Sequence, residues 1–139
     1  MNRRRLFAIL AVPLTLAVGA TTTFAASSKS GIIRDQSGSV KYRYSTDSSG
    51  KTTYRDSSGS RKFTVDKGGT VRDNSGSRRS TISSNRTVRD SSGRTQGRFS
   101  TSGGNTAFRD SSGSVKYRVM KDGAIRNSSG SLIGKIDRR

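Results

Sequence analysis

Few kinds of residue in this chain can do chemistry: 27 Lys and Arg, 9 Asp and Glu, many Ser, and neither His nor Cys. Without His the chain lacks the commonest general base and the commonest metal ligand. No ordinary Ser-His-Asp system can form, and no spacing singles out one Lys as a substitute base. The carboxylates of the repeated motif come one per repeat, each after an Arg, which does not suit the paired acids of glycoside hydrolysis. The same arrangement is a poor calcium site, because a hard cation needs six or more oxygens. No catalytic residue, metal site or cofactor is therefore expected, and the chain is read as no enzyme. What remains is ionic chemistry: a net charge of +18 attracts polyanions and favours solubility.

Those charges are carried by a repeated unit, Arg109-Asp110-Ser111-Ser112-Gly113-Ser114. It begins at Arg34, Arg55, Arg72, Arg89, Arg109 and Arg126, with spacings of 21, 17, 17, 20 and 17 residues. Edits are small: Gln36, Asn74, Arg94 and Asn127 replace the usual residue in single copies. The residue before each Arg is apolar (Ile33, Tyr54, Val71, Val88, Phe108, Ile125), and so is the residue ten beyond it (Tyr44, Val65, Ile82, Phe99, Val119, Ile136). A disordered chain of similar composition, rich in Ser, Gly and charge, has no reason to keep two such columns. The length variation falls in one connection, between the second column and the next first column, so that connection belongs at the surface.

Asp-Ser-Ser-Gly is turn chemistry: Asp accepts from the backbone two residues on, and Gly takes the left-handed conformation. A four-residue loop would pair Arg109 with Ser114 and Phe108 with Val115, putting Phe108, Val115, Tyr117 and Val119 on one face. A three-residue loop would set Phe108 against Lys116, so the four-residue loop is expected. The second connection, Met120-Lys121-Asp122-Gly123-Ala124, fits a three-residue loop with Gly123 in the bulge position and Val119 opposite Ile125. The fold class expected is all-β: six strand–turn–strand repeats of 17–21 residues, about twelve short strands, forming one antiparallel meander. Closure as a ring is one arrangement of such a meander, and a β-solenoid is the alternative.

The polar face of this meander carries a basic stripe. Its members are Arg34, Lys41, Arg43, Arg55, Lys62, Arg72, Arg79, Arg89, Arg98, Arg109, Lys116, Arg118, Arg126 and Lys135. The plainer reading is that these are solvated charges which discourage edge aggregation. The functional reading is a surface for anionic polymers or cell-surface components: lipopolysaccharide, acidic polysaccharide or extracellular DNA. Self-association as an extracellular matrix or functional-amyloid-like protein is the alternative, although Gln/Asn ladders are absent and a column of Arg would repel itself.

Residues 1–25 read as a secretory signal peptide: Arg3-Arg4-Arg5, an apolar stretch through Ala20, and Thr23-Phe24-Ala25 before the cleavage point. About 15 apolar residues are too few to span a bilayer. Residues 26–139 then form a single repetitive domain with 24 basic and 9 acidic side chains, a net charge of +15, in a secreted or periplasmic location.

The last repeat, with Gly130 followed by Gly134-Lys135-Ile136, resembles a repeat of the β-flower proteins, as does the fourth, with Gly93 followed by Gly97-Arg98-Phe99. Those are secreted bacterial proteins of short hairpins set in a ring. In the other four repeats Tyr42, Phe63, Ser80 and Tyr117 stand in place of the second Gly. The resemblance implies a ring of hairpins and no particular activity.

Overall fold

The computed structural model describes residues 30–139. The signal peptide expected over residues 1–25 lies outside them. The six repeats form six hairpins. They are β1 (Ser30–Asp35) with β2 (Val40–Thr46), β3 (Thr52–Arg55) with β4 (Arg61–Val65), and β5 (Thr70–Asp73) with β6 (Arg78–Ile82). The second half continues with β7 (Thr87–Asp90) and β8 (Thr95–Ser102), β9 (Asn105–Asp110) and β10 (Val115–Val119), β11 (Ala124–Asn127) and β12 (Leu132–Arg138). Each strand pairs with its sequence neighbours, and β12 returns to β1, closing an antiparallel barrel of twelve strands. The meander is closed as a ring, not wound as a solenoid. There is no helix among the described residues.

The motif turn differs from the loop expected. The Asp110 amide donates to the Ser114 carbonyl at 2.9 Å, and the Gly113 amide donates to the Asp110 carbonyl at 3.0 Å. The loop is thus three residues, Ser111 to Gly113, closed by glycine at φ 90°. Arg109 pairs with Val115, not Ser114, and Phe108 pairs with Tyr117, not Val115. A three-residue loop alone would put Phe108 against Lys116. A β-bulge resolves the conflict by lifting Lys116 out of the ladder, so that apolar faces apolar again. The same shift recurs in all six hairpins, at Lys41, Lys62, Arg79, Gln96, Lys116 and Ile133. A bulge raises local twist, and a twelve-strand sheet needs curvature at every hairpin to close.

Between repeats the register is as expected: Val119 faces Ile125 across a three-residue turn with Gly123 at φ 92°. The other seams obey the same rule. Tyr44 faces Tyr54, Val65 faces Val71, Ile82 faces Val88, Phe99 faces Phe108, and at the closing seam Ile136 faces Ile33. The two sequence columns therefore interlock around the lumen. All twelve of their members, with Phe63 and Tyr117, make up the buried core. Phe108 stacks on Tyr117 at 5.4 Å and meets Phe99 at 5.1 Å, while Tyr54 stacks on Phe63 at 4.4 Å. Gly97 completes the packing by absence of a side chain: the Phe108 ring and the Arg109 carbonyl stand where its Cβ would be.

The extra residues of the first and fourth repeats lengthen strands rather than loops. Ser45–Thr53 and Thr46–Thr52 extend the β2–β3 hairpin. Ser100–Ala107, Thr101–Thr106 and Ser102–Asn105 extend β8–β9. Three seams apart in a ring of six, the two tall hairpins face each other across one mouth of the barrel.

Candidate anion-binding surface

The motif turn is built from its own side chains. Oδ1 of Asp110 accepts from the Ser112 amide at 3.0 Å, the Ser112 hydroxyl at 2.6 Å and the Ser114 amide at 3.0 Å. Asp35, Asp56, Asp73 and Asp90 do the same, and Asn127 reproduces the set with an amide oxygen. The serine hydroxyl is the leading cause that holds the carboxyls of Asp56, Asp73 and Asp110 down at about 2, below the usual carboxylate range.

The other carboxylate oxygen takes the bulged side chain. Lys62 lies 3.1 Å from Asp56, Arg79 2.7 Å from Asp73, Lys116 3.2 Å from Asp110 and Lys41 3.5 Å from Asp35. Gln96 donates to Asp90 at 3.1 Å. Where the acid is replaced by Asn127 the bulged residue is Ile133, so charge is lost on both sides together. Four members of the sequence stripe, Lys41, Lys62, Arg79 and Lys116, are thereby locally neutralised.

The motif Arg has a structural use of its own. Nη1 of Arg109 reaches over the turn to the Gly113 carbonyl at 3.0 Å. Arg34, Arg55, Arg72, Arg89 and Arg126 make the same clasp on Gly38, Gly59, Gly76, Gly93 and Gly130, at 2.9–3.2 Å. A guanidinium has five donors, so one bond to a carbonyl leaves its charge and most of its fork outward.

The remaining stripe residues fall opposite those six across the seams. Arg43 faces Arg55, Arg98 faces Arg109, Arg118 faces Arg126, and Lys135 faces Arg34. In the other two seams Thr64 faces Arg72 and Thr81 faces Arg89. Within each hairpin the step from one of these residues to the next is a two-residue diagonal: Arg118 lies opposite Ala107, and Lys135 opposite Ala124. Direct pairs stand roughly 5 Å apart and diagonal ones roughly 7–8 Å. One residue per strand thus forms a belt around the barrel, with ten basic positions and two threonines, of which Thr64 is buried. From Arg89 through Arg98, Arg109, Arg118, Arg126, Lys135, Arg34 and Arg43 to Arg55, nine consecutive positions are basic.

Acid relief along the belt is sparse. Asp137 holds Arg34 at 2.8 Å and reaches Lys135 at 3.9 Å, and Asp66 lies 3.8 Å from Arg72. Arg43, Arg98 and Arg118 make no ion pair among the described residues, and each is exposed beside another arginine. Like charges directly opposite on a sheet destabilise it by about 0.2–1 kcal/mol per pair, and a bound anion would reverse the sign. By spacing alone these cations are equivalent; the fold divides them into a neutralised row on the bulges and a charged belt. Among the described residues no group of acids could hold a metal ion, and no helix is long and apolar enough to cross a membrane. No protein-family model, curated protein or solved structure matches this chain.

Proposed function

We propose that this chain is an exported β-flower protein of six hairpins which binds anionic polymers through its outer belt and catalyses no reaction. The observation that carries the reading is the run of nine consecutive basic positions, seven of them arginines with no ion pair among the described residues. Export rests on the arginines and apolar stretch of residues 1–25 and on Thr23-Phe24-Ala25. Lipopolysaccharide, acidic polysaccharide and extracellular DNA are polymers that such a protein meets outside the cytoplasm. The alternative, assembly into fibres by strand addition, loses its usual starting point because a closed barrel presents no unpaired edge strand.

The test is equilibrium binding of immobilised heparin over a range of salt. Counterion release makes the logarithm of affinity fall linearly with the logarithm of salt, with a slope that counts neutralised charges (about −0.9 per phosphate for duplex DNA). A steep negative slope is the expected result. Affinity indifferent to salt, or preference for a neutral glycan, would leave the belt as solvated surface only.

A further inference from the structure

Resting on that reading, we infer that the partner is a flexible acidic polysaccharide which wraps the barrel along the belt, rather than a nucleic acid. Two features select it. The first is curvature. Twelve strands about 4.8 Å apart and tilted at about 40° enclose a cylinder of backbone radius roughly 10–12 Å. Equivalent residues of six repeats circle that cylinder, so the belt bends away from any straight rod within one or two seams. Duplex DNA has a persistence length of about 50 nm and touches such a convex belt only near one tangent point. A flexible chain with an anionic group on each sugar unit follows the curve and engages Arg98–Arg109, Arg118–Arg126 and Arg43–Arg55 at once.

The second feature weighs against single-stranded nucleic acid. Binding of unpaired bases draws on aromatic platforms as well as charge, at about 1–3 kcal/mol per stacked base. Here Tyr44, Tyr54, Phe63, Phe99, Phe108 and Tyr117 are buried in the lumen, and the seventh described aromatic, Tyr42, is half-buried against them. The only large hydrophobic residue that is exposed among the described ones is Leu132, which is aliphatic. The outer face offers guanidinium forks and no exposed ring. Sulfate, carboxylate and phosphate groups all use those forks, so what a single strand lacks on this face is an aromatic platform for its bases.

The experiment compares a length series of heparin oligosaccharides with a duplex DNA and an oligothymidylate of matched charge. It uses the mature chain and two double variants. Arg98→Thr with Arg118→Thr removes two belt charges and installs the residue that the belt already carries at Thr64 and Thr81. Arg94→Ser with Arg78→Thr removes two exposed charges off the belt and installs residues other repeats use, as at Ser114 and Thr95. Because every replacement is native to an equivalent position, all forms should fold, and circular dichroism checks this. Heparin affinity should rise with length until the chain spans the basic run. It should exceed that of either nucleic acid by about tenfold. The belt variant should lose about tenfold more than the off-belt variant. Equal losses from the two variants, or nucleic acid bound as tightly as heparin, would overturn the wrapping inference while leaving general polyanion binding intact. Absence of salt-sensitive heparin binding in the unaltered protein would instead remove the reading beneath it.

Discussion

The unit of this architecture is a single carboxylate oxygen that closes a turn. Asp110 Oδ1 gathers three donors, and Asn127 gathers the same three, so negative charge is not required for the geometry. Asp110→Asn should therefore leave the turn intact and lose only the charge contribution, the pair with Lys116 included, whereas Asp110→Ala should remove the acceptor as well and lower the thermal midpoint further. Melts of the two variants separate these outcomes, and equal losses would mean that charge, not geometry, matters. The charged form does make a contribution to pH dependence. Asp56, Asp73 and Asp110 titrate at about 2 in the folded chain, against about 3.9 unfolded. A depressed folded pKa means the stabilisation is fully present above about pH 4 and is lost as pH falls through about 2. The thermal midpoint should accordingly hold from neutrality to about pH 5 and decline below pH 4. Replacing the three by Asn should flatten that decline. A midpoint unchanged down to pH 2 would contradict the assignment. Tyr117 supplies a residue-scale test in the core. Its hydroxyl is buried with no hydrogen-bond partner among the described residues, and burial pushes its pKa well up. Tyr117→Phe removes a desolvated group worth about 1–3 kcal/mol, so the variant should melt at or above the parent temperature.

At the level of the hairpin, what was legible in the sequence and what was not divides along the bulge. Glycine at fixed offsets and the apolar columns give the strands, the turns and the seam pairing Val119–Ile125 directly. The bulge leaves no such mark, because Lys116 is as polar as its outward neighbours and a simple two-residue alternation accounts for it equally well. That is why a four-residue loop looked necessary: without a bulge, only that loop keeps Phe108 on the apolar face. It is also why Lys116 and Arg118 read as one stripe, although the first is tied to Asp110 and the second belongs to the belt. The third inward position was half legible. Gly97 and Gly134 stood out as a motif, but their purpose is spatial: at Gly97 the Phe108 ring, and at Gly134 the Arg34 carbonyl and Ile125 side chain, take the room. Gly97→Ala should therefore destabilise by about 1–3 kcal/mol through overpacking. Ser80, which occupies the same position in the third repeat beside Val71, should accept Ala with little change. Chemical denaturation of both variants measures the difference. Equal effects would show that the position is not sterically set by its neighbour.

For the molecule as a whole, closure is the property the sequence left open, because it depends on one contact between the two ends of the described chain. Ile33 and Ile136 are members of the same columns as every other seam pair, so nothing in their types announces that they meet. In the barrel they are partners, and the Arg139 amide donates to the Ser30 carbonyl at 3.0 Å. An open meander and a closed one respond oppositely to two rearrangements of the chain. In an open meander the terminal strand is an edge, its loss costs one strand pairing, and tying the ends together imposes strain. In the closed barrel β12 is paired on both sides, so deleting residues 132–139 breaks the sixth hairpin and the closing seam and exposes β1 and β11 as edges. It also takes Ile136 from the core. That deletion should abolish cooperative melting. Circular permutation should do the reverse. Linking residue 139 to residue 30 by a short Gly/Ser segment and opening the chain between Gly103 and Gly104 cuts an exposed two-residue turn and adds a covalent link where a hydrogen bond already stands. Every seam pair and every belt position is kept, so the permutant should melt cooperatively near the parent temperature and retain heparin binding. A tolerated deletion together with an unfolded permutant would show that the strands form an open sheet in solution.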